Sequence, residues 1–267
     1  MNLETLFPLL EEFAYSGLFR NLAHPWDPLK TLGDSLKTIL SEVDTPPTRG
    51  QAPVGMTLGD PADPGGHPEP GLFITRWLRL EKPMYLPDLA IWIGEGTRLE
   101  PSAVLKGPCV IGAHCDVRQG AYLRGNVLVG DGCTLGHATE IKNSILMNHT
   151  EAGHFNYIGD SILGSQVNLG AGTRLANLQF RGEEEKREGF IHTIKLPGEG
   201  GELDTGLEKL GAVIGDFSET GCNVVLSPGV VLGAHSWVYP NCTVPKGFYP
   251  PRQMISPKDL RPRQRER

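Results

Sequence analysis

The chain has 267 residues, of which 39% are hydrophobic and 21% are charged, so it is long enough for a large folded domain and too apolar to be disordered. Its net charge of −6 argues against a nucleic-acid-binding protein, and no apolar run is long enough to span a membrane. Five cysteines are an odd number, and the N-terminus lacks a basic signal region. Both features predict a cytoplasmic protein without a disulfide framework.

Residues 1–45 are predicted to form a short helical segment, in which Asp27-Pro28 supplies an N-cap and a first-turn proline for the second helix. Apolar residues recur there at steps of three and four: Leu3, Leu6, Leu10, Phe13, then Leu29, Leu32, Leu36, Ile39 and Leu40. Residues 46–84 are predicted to be a linker and lead-in, because residues 46–71 are rich in proline and glycine.

A different period begins at about residue 85. Every sixth residue from Ile93 is aliphatic: Ile93, Leu99, Leu105, Ile111, Val117, Leu123, Val129, Leu135 and Ile141. A small residue usually stands four positions later, as expected for a parallel β-helix whose corners bury one aliphatic and one small side chain. Cysteines occupy several of these small positions and are predicted to be core thiols: Cys109, Cys115, Cys133 and Cys242. We therefore predict an all-β hexapeptide β-helix over residues 85–250, with an inserted loop at 178–213 and a tail at 251–267.

A dense motif follows within this region. It comprises Glu140, Lys142, Gly153-His154, Tyr157, Gly159-Asp160, Val167-Asn168, Gly170-Ala171-Gly172-Thr173 and Asn177, with Arg124 upstream. The motif resembles the acetyltransferase half of the bifunctional glucosamine-1-phosphate acetyltransferase/N-acetylglucosamine-1-phosphate uridyltransferases. Residues 204–230 look more like the C-terminal halves of archaeal sugar-phosphate nucleotidylyltransferases.

This resemblance implies a left-handed β-helix in which three hexapeptides close each triangular coil, and a homotrimer with active sites between subunits. It also implies that acetyl is transferred from acetyl-CoA to the amine of a hexosamine 1-phosphate, for nucleotide-sugar biosynthesis. The amine must lose a proton during this reaction, and histidine is a suitable base near neutral pH.

The resemblance assigns roles to individual residues of this chain. It implies that His154 is the base and that Glu140 orients or stabilises the imidazole. The substrate-binding residues that it implies are Arg124, Lys142, Tyr157 and Asn168. The acetyl-CoA contacts that it implies are Ala171, Asn177 and Cys222.

Two departures from the family pattern limit the expected activity. No glycine-rich segment for nucleotide phosphates occurs in residues 1–90, so we expect no uridylyl transfer. Cys222 replaces a serine, and Tyr239-Pro240-Asn241 replaces small residues that line the lower CoA channel in the family. Residues 1–85 have two open roles, covering an end of the β-helix or recruiting a separate nucleotidyltransferase.

Lys106, Arg124 and Lys142 recur at intervals of three hexapeptides and are predicted to stack in one outward-facing column. Neighbouring cations at about 4.8 Å repel each other by about 1 kcal/mol even in a water-like medium. The column therefore needs a compensating anion or carboxylate, unless the side chains splay into solvent. We hypothesise that Arg124 and Lys142 bind the sugar 1-phosphate, while Lys106 extends the positive field or reaches a CoA phosphate.

Two alternative functions remain open. γ-Class carbonic anhydrases share this solenoid and bind zinc through two histidines separated by five positions and a third two coils earlier. His149 and His154 have the first spacing, but the position two coils before His149 is Ala113, and His114 is one position out of register. We therefore expect no metal site. The second alternative is a non-catalytic trimeric scaffold related to sugar nucleotides.

Overall fold

Short strands are stacked in three nine-stranded sheets, which form the three faces of a parallel β-solenoid. This computed structural model describes residues 2–48, 53–58, 71–198 and 201–257. The predicted all-β hexapeptide solenoid with a short helical segment is confirmed. The described helices are Leu3–Leu6, Pro28–Glu42 and Glu183–Glu188, with 3-10 turns at Leu10–Glu12, Ser16–Phe19 and Pro87–Leu89.

The strands are assigned to the faces as follows. Face 1 contains Met56–Leu58, Leu72–Ile74, Val104–Lys106, Tyr122–Arg124, Glu140–Lys142, Tyr157–Gly159, Arg174–Leu175, Val225–Leu226 and Thr243–Val244. Face 2 contains Met84–Leu86, Ile91–Ile93, Cys109–Ile111, Val127–Val129, Ser144–Leu146, Ile162–Leu163, Ala212–Ile214, Val230–Leu232 and Gly247–Tyr249. Face 3 contains Leu78–Arg79, Arg98–Leu99, Asp116–Val117, Thr134–His137, Glu151–His154, Asn168–Leu169, Glu219–Thr220, Trp237–Val238 and Met254–Ile255.

The core of the solenoid consists of the aliphatic positions that define the sequence period. Leu105, Leu123 and Ile141 are register partners in successive coils and are fully buried. The four cysteines predicted to be core thiols are also buried, whereas Cys222 is exposed. The stacked aliphatics of consecutive coils therefore form one continuous apolar column, as the sequence predicts.

The period shortens in the middle of the solenoid. Ile141 pairs with Ile158, and Ile158 pairs with Leu175, so each of these two coils is one residue shorter than the predicted three hexapeptides. Each missing residue lies at the corner between faces 1 and 2. There the Ser144 hydroxyl donates to the carbonyl of Lys142 at 2.7 Å, and an equivalent serine closes the next coil. The six-residue spacing of the inward aliphatic residues is therefore interrupted after Ile141, although the strands of all three faces continue.

The N-terminal segment covers face 2. Its buried apolar side chains pack on outward-facing residues of that face. From the segment these are Leu6, Phe7, Phe13, Phe19, Trp26, Leu29, Leu32, Leu36 and Leu40, and from face 2 they are Val110, Leu128, Ile145, Met147, Ile162, Val213 and Val231. Asp27 is the N-cap residue of the helix Pro28–Glu42 and Pro28 lies in its first turn, as predicted. The Asp27 carboxylate makes no capping hydrogen bond, because it accepts the backbone N–H of His24 and pairs with Lys30.

Strands also occur in segments predicted to be irregular. Met56–Leu58 and Leu72–Ile74 pair antiparallel and extend face 1, so part of the predicted linker 46–84 belongs to the sheets. Met254–Ile255 pairs with Trp237–Val238, within the predicted tail 251–267. Residues 59–70 and 258–267 lie outside the described residues.

The insertion interrupts the corner between faces 1 and 2 and folds back on the molecule. Leu175 pairs with Leu226 across the whole insertion, and the intervening chain includes an antiparallel hairpin of Lys195–Gly198 and Gly201–Asp204. Three of its side chains are buried in the cluster that covers face 2: Ile194, Leu196 and Leu210. The insertion is therefore anchored on face 2 together with the N-terminal segment.

Asp216 joins the N-terminal segment to the solenoid. Its fully buried carboxylate accepts the backbone N–H of Leu9 at 2.7 Å and that of Ser165 at 2.8 Å. The backbone N–H of Asp216 donates to the carbonyl of Leu6. Burial raises the pKa of the Asp216 carboxyl to about 6, although both accepted hydrogen bonds act to lower it.

We expect Asp216→Ala to lower the free energy of unfolding by about 2–4 kcal/mol, because two buried N–H groups lose their acceptors. Since the pKa of folded Asp216 lies above its usual value, this group contributes most to stability below pH 4, and the contribution falls as pH rises through about 6. The difference between wild type and variant should therefore be larger at pH 5 than at pH 7 in urea denaturation.

Asp34→Ala is the matched control, because Asp34 forms an exposed pair with Lys37. It should leave the unfolding free energy nearly unchanged. Equal changes in the free energy of unfolding for the two substitutions would contradict the anchoring role of Asp216.

Candidate functional site

The predicted phosphate-binding cations lie on face 1, at the edge next to face 2. Arg124 ends one strand, and its Nη1 donates to Glu140 Oε1 of the next strand at 2.7 Å. Both side chains are more than one-third exposed, and the hydrogen bond to Glu140 raises the pKa of Arg124. Glu140, predicted to orient His154, therefore contacts Arg124 instead.

Asp160 organises the adjacent corner. Its carboxylate lies 3.1 Å from Lys142 Nζ, accepts Asn143 Nδ2 at 2.9 Å and accepts a second hydrogen bond from Asn177 Nδ2. Asp160 is only 5% exposed. A nearly buried carboxylate with three polar partners holds these side chains in a defined arrangement.

Tyr157 extends the same cluster. Its hydroxyl donates to Asn177 Oδ1 at 3.3 Å. Burial raises the pKa of Tyr157, and the charges of Glu140 and Asp160 add to this effect. Tyr157 therefore remains a protonated hydrogen-bond donor at neutral pH.

The predicted column of cations is present and is compensated by carboxylates. Lys106 and Arg124 are register partners, and Lys142 occupies the corresponding place in the next strand. Glu140 and Asp160 neutralise the latter two cations, and Lys106 Nζ lies 5.7 Å from the centroid of the Tyr122 ring. Repulsion along the column is thus relieved within the chain.

His154 ends a strand of face 3, at the corner between faces 3 and 1. Its backbone N–H donates to Asn156 Oδ1 at 3.1 Å, and Asn156 donates to the carbonyl of Gly170 at 2.9 Å. The imidazole is exposed and makes no hydrogen bond or ion pair within the described part of the chain. Asn156 thus fixes the backbone while the His154 ring faces solvent.

Ala171 and Cys222 follow His154 in one column along the solenoid. Each stands two positions after an inward-facing residue of face 3, in successive coils spaced by about 4.8 Å. Asn168 lies on the outward surface of the same face, paired with Glu151. Asn177, also predicted to contact acetyl-CoA, lies at the corner between faces 1 and 2, where its Nδ2 donates to Asp160.

A strip of surface without side chains runs beside this column and is called the groove below. It consists of Gly153, Gly170 and Gly221 in successive coils. A Cβ atom at Gly170 would lie 2.4 Å from the carbonyl carbon of Gly221, so the backbone excludes a side chain there. Tyr239 occupies the corresponding position in the next coil and ends the groove.

The geometry does not support the zinc alternative. His149 lies at the corner between faces 2 and 3, whereas His154 lies at the opposite edge of face 3. Among residues 2–48, 53–58, 71–198 and 201–257, no three His, Cys, Asp or Glu side chains form a group able to hold a metal ion.

Asp160 is the site residue to which sequence reasoning gave no role. The motif included it next to Gly159, without a partner for its carboxylate. Its signal is the residue type itself, since an aspartate in the buried repeat of a solenoid requires polar partners. Only the folded corner shows that these partners are Lys142, Asn143 and Asn177.

Comparisons with known proteins agree with the motif. A family model described as the GMPPB C-terminal domain matches residues 105–192. A bifunctional sugar-1-phosphate nucleotidylyltransferase/acetyltransferase of Sulfurisphaera tokodaii is 30% identical over 193 residues, covering 63% of this chain and 46% of the relative.

Two relatives named bifunctional protein GlmU were also found. That of Methanococcus vannielii is 40% identical over 126 residues, covering 47% of this chain and 28% of the relative. That of Methanococcus maripaludis is 30% identical over 228 residues, covering 85% of this chain and 45% of the relative. The predicted resemblance is confirmed, because the homologues are GlmU-type bifunctional proteins and the solenoid matches an acetyltransferase β-helix. This chain spans less than half the length of each of these three relatives.

We expect Asp160→Ala to lower the free energy of unfolding by about 3 kcal/mol, because it leaves the largely buried ammonium of Lys142 unpaired. Glu140→Ala is the matched control, since it breaks an exposed pair whose contribution is at most about 1 kcal/mol. Urea denaturation measures both values. If Glu140→Ala lowers the free energy of unfolding more than Asp160→Ala does, the exposed pair of Arg124 and Glu140, and not Asp160, stabilises this corner.

Proposed function

We propose that this chain transfers acetyl from acetyl-CoA to the amine of a hexosamine 1-phosphate. The observation that carries this proposal is the exposed His154 at the start of a bare groove, together with a cation cluster on the adjoining face of the same solenoid. The homology supports a transferase acting on sugar phosphates at the family level. The glucosamine and galactosamine 1-phosphates are both candidate substrates.

His154 is the proposed base. An amine attacks a thioester only when its lone pair is free, so a proton must leave the ammonium or the adduct that forms. The His154 imidazole, which has no hydrogen-bond partner among the residues that the structure describes, can accept that proton and release it to solvent. The backbone clamp by Asn156 keeps His154 in place without occupying its ring nitrogens.

Arg124 and Lys142 are proposed to bind the sugar phosphate. Arg124 forms an exposed ion pair with Glu140, and such a pair contributes little, so a phosphate can replace the carboxylate at small cost. Lys142 has three donors and can bind Asp160 and a phosphate together. Tyr157 and Asn168 are the proposed hydrogen-bonding residues for the sugar.

We place the pantetheine arm of acetyl-CoA along the groove beside His154, because its three glycines have no side chains to occupy that strip of face 3. Ala171 and Cys222 flank the groove in the two coils above His154. Acetyl-CoA supplies the activated acyl group, and the chain orients it toward the substrate amine. Asn177, at the corner between faces 1 and 2, would contact acetyl-CoA bound in the groove of a neighbouring subunit.

A homotrimer is part of the proposal. Face 2 is covered by the chain's own N-terminal segment and insertion, which leaves faces 1 and 3 for neighbouring subunits. Half of the ten large exposed apolar side chains among the described residues lie on face 3 and at its corners: Phe155, Phe217, Trp237, Tyr239 and Met254. Exposed apolar groups grouped in this way favour burial of that face in an assembly.

The proposed activity does not include nucleotidyl transfer, since residues 1–90 lack the expected glycine-rich phosphate segment. A separate nucleotidyltransferase is the proposed partner for that step. None of the helices in the described ranges is both long enough and apolar enough to cross a membrane.

A non-catalytic scaffold is the second candidate function. It is favoured by Tyr239 and Pro240, whose bulk narrows the far end of the groove. A thiol-release assay with acetyl-CoA and a panel of amino sugars, with and without the 1-phosphate, separates the two candidates. Thiol release that depends on an amino sugar supports the enzyme, and its absence across the panel supports the scaffold.

We expect His154→Ala to lower kcat about 10²–10⁴-fold with an unchanged circular dichroism spectrum, because the reaction loses its base. His149→Ala is the matched control, since His149 lies at the opposite corner of face 3, and it should retain wild-type kcat. A folded His154→Ala protein with wild-type turnover would remove His154 from the mechanism.

We expect Arg124→Ala and Lys142→Ala each to raise KM for the phosphorylated sugar at least tenfold more than KM for the same sugar without phosphate. The reason is that charge-assisted contacts to phosphate are lost, while the other sugar contacts remain. Steady-state kinetics with both substrates tests this. Equal changes for both substrates would show that these cations do not recognise phosphate.

We expect the purified protein to have a mass of about 87 kDa, three times that of the 29.0 kDa chain. Multi-angle light scattering measures it. Trp237→Lys should shift the protein toward monomer, because it places a charge in the proposed interface, whereas Lys209→Ala should not. A fully active monomer would disprove the trimer.

A further inference from the structure

An arginine reaches the start of the groove from the coils that precede it. Arg118, Gly136 and Gly153 occupy equivalent positions in successive coils, each directly after an inward-facing residue of face 3. The Arg118 side chain extends along the solenoid axis past Gly136, and its Nη1 lies 3.9 Å from the position that a Cβ atom on Gly153 would take. The guanidinium therefore ends beside the residue that precedes His154.

The guanidinium of Arg118 has no acceptor within its own chain. The side chain is partly buried and makes no hydrogen bond or ion pair within the part of the chain that the structure describes. Glu100 lies one coil earlier in the same column, but its carboxylate accepts the backbone N–H of Gln119 at 2.9 Å. Arg118 thus differs from Arg124, which is paired with Glu140. A permanently charged group with five donors and no partner is available to an anionic ligand.

The space in front of this guanidinium is open. Apart from its neighbours in the chain, Arg118 Nη1 is the one described atom within 4 Å of the missing Cβ of Gly153. His137, the register partner of His154 one coil earlier, donates from Nδ1 to the carbonyl of Gln119 at 2.9 Å, which fixes its ring at the corner. A ligand lying against Gly153 therefore has Arg118 on one side and His154 on the other.

Arg118 approaches His154 from the side opposite to the proposed acetyl-CoA groove. The groove continues from Gly153 through Gly170 to Gly221, whereas Arg118 extends from two coils before Gly153. Because the thioester must lie near His154, the phosphates of CoA lie beyond the pantetheine arm, at the end of the groove remote from Arg118. The ligand group beside this guanidinium therefore belongs to the acceptor that brings the amine.

We propose that Arg118 binds the 1-phosphate of the acceptor sugar, in the same chain that supplies His154 as the base. This inference rests on the proposed acetyl transfer and adds a residue that determines its substrate specificity. In a glucosamine or galactosamine 1-phosphate, the amine and the phosphate stand on adjacent carbons, so the groups that bind them must lie close together. Arg118 and His154, on either side of the space at Gly153, meet this requirement, and a planar guanidinium can donate two hydrogen bonds to one phosphate.

Arg118 complements the cations of face 1. Arg124 and Lys142 lie at the edge of face 1 next to face 2, so the width of that face separates them from His154 within one chain. In the proposed homotrimer they would reach the same sugar from a neighbouring subunit and bind its phosphate from the other side. Arg118 is then the phosphate ligand in the subunit of the base itself.

The first test is isothermal titration calorimetry of the full-length protein with glucosamine 1-phosphate and with galactosamine 1-phosphate. At least one of them should bind, and Arg118→Ala should raise its Kd at least tenfold, because charge-assisted hydrogen bonds are lost. Arg118→Lys keeps the charge without the planar fork, so its Kd should lie between the two. Circular dichroism checks that each variant is folded.

Arg98→Ala is the matched control, because Arg98 lies on the same face and is paired with Asp116. Its Kd for the sugar phosphate should stay within about twofold of the wild-type value. An unchanged Kd in folded Arg118→Ala would overturn the inference, and so would equal losses in Arg118→Ala and Arg98→Ala.

The second test compares acetylation of the sugar 1-phosphate with that of the same amino sugar without phosphate. Arg118→Ala should raise KM for the phosphorylated sugar at least tenfold more than KM for the free sugar, because only the first loses a charged contact. Arg98→Ala should change neither value. A fall in kcat for both sugars, with both KM values unchanged, would show that Arg118 contacts the reacting thioester instead of the phosphate.

The outcomes separate this inference from the proposed function. Acetylation of the sugar 1-phosphate with the same KM in wild type and Arg118→Ala would overturn the inference and leave the acetyltransferase standing. Binding of the sugar phosphate that depends on Arg118, without acetylation of any amino sugar, would support the phosphate site and overturn the proposed function.

Discussion

The stacking of coils in parallel register, from Ile91–Ile93 onward, is the constraint on which this molecule depends. Each coil donates and accepts backbone hydrogen bonds with its neighbours, so equivalent positions form columns spaced by about 4.8 Å. A residue type repeated at the coil period becomes a continuous feature of one face. The aliphatic column is the core, the glycine column is the groove beside His154, and the basic column is the cation edge of face 1.

The same register explains how much could be predicted from sequence. The aliphatic period from Ile93 to Ile141 identified the solenoid and its inward positions, because each hexapeptide repeats one local environment. The two shortened coils were not predictable from that period. They depend on serine hydroxyls that close two corners locally, and the loss of one residue per coil looks in sequence like the end of the repeat.

Contacts between distant segments account for the other differences. Asp216 could not be recognised as an anchor, because its partner Leu9 lies near the opposite end of the chain. Asp27 matched the pattern of a helix cap, but its carboxylate binds the preceding turn and Lys30. The motif identified His154, Arg124 and the other candidate site residues. The structure added the ion pairs of Arg124 and Lys142, which determine how readily each cation can bind a ligand.

Those ion pairs differ in a way that assigns separate tasks to the two cations. The carboxylate of Asp160 is nearly buried, so the pair with Lys142 is weakly screened and keeps the ammonium in a fixed position. The carboxylate of Glu140 is exposed, so its pair with Arg124 exchanges easily with solvent or with an incoming anion. Lys142 thus provides a preorganised charge and Arg124 an exchangeable one.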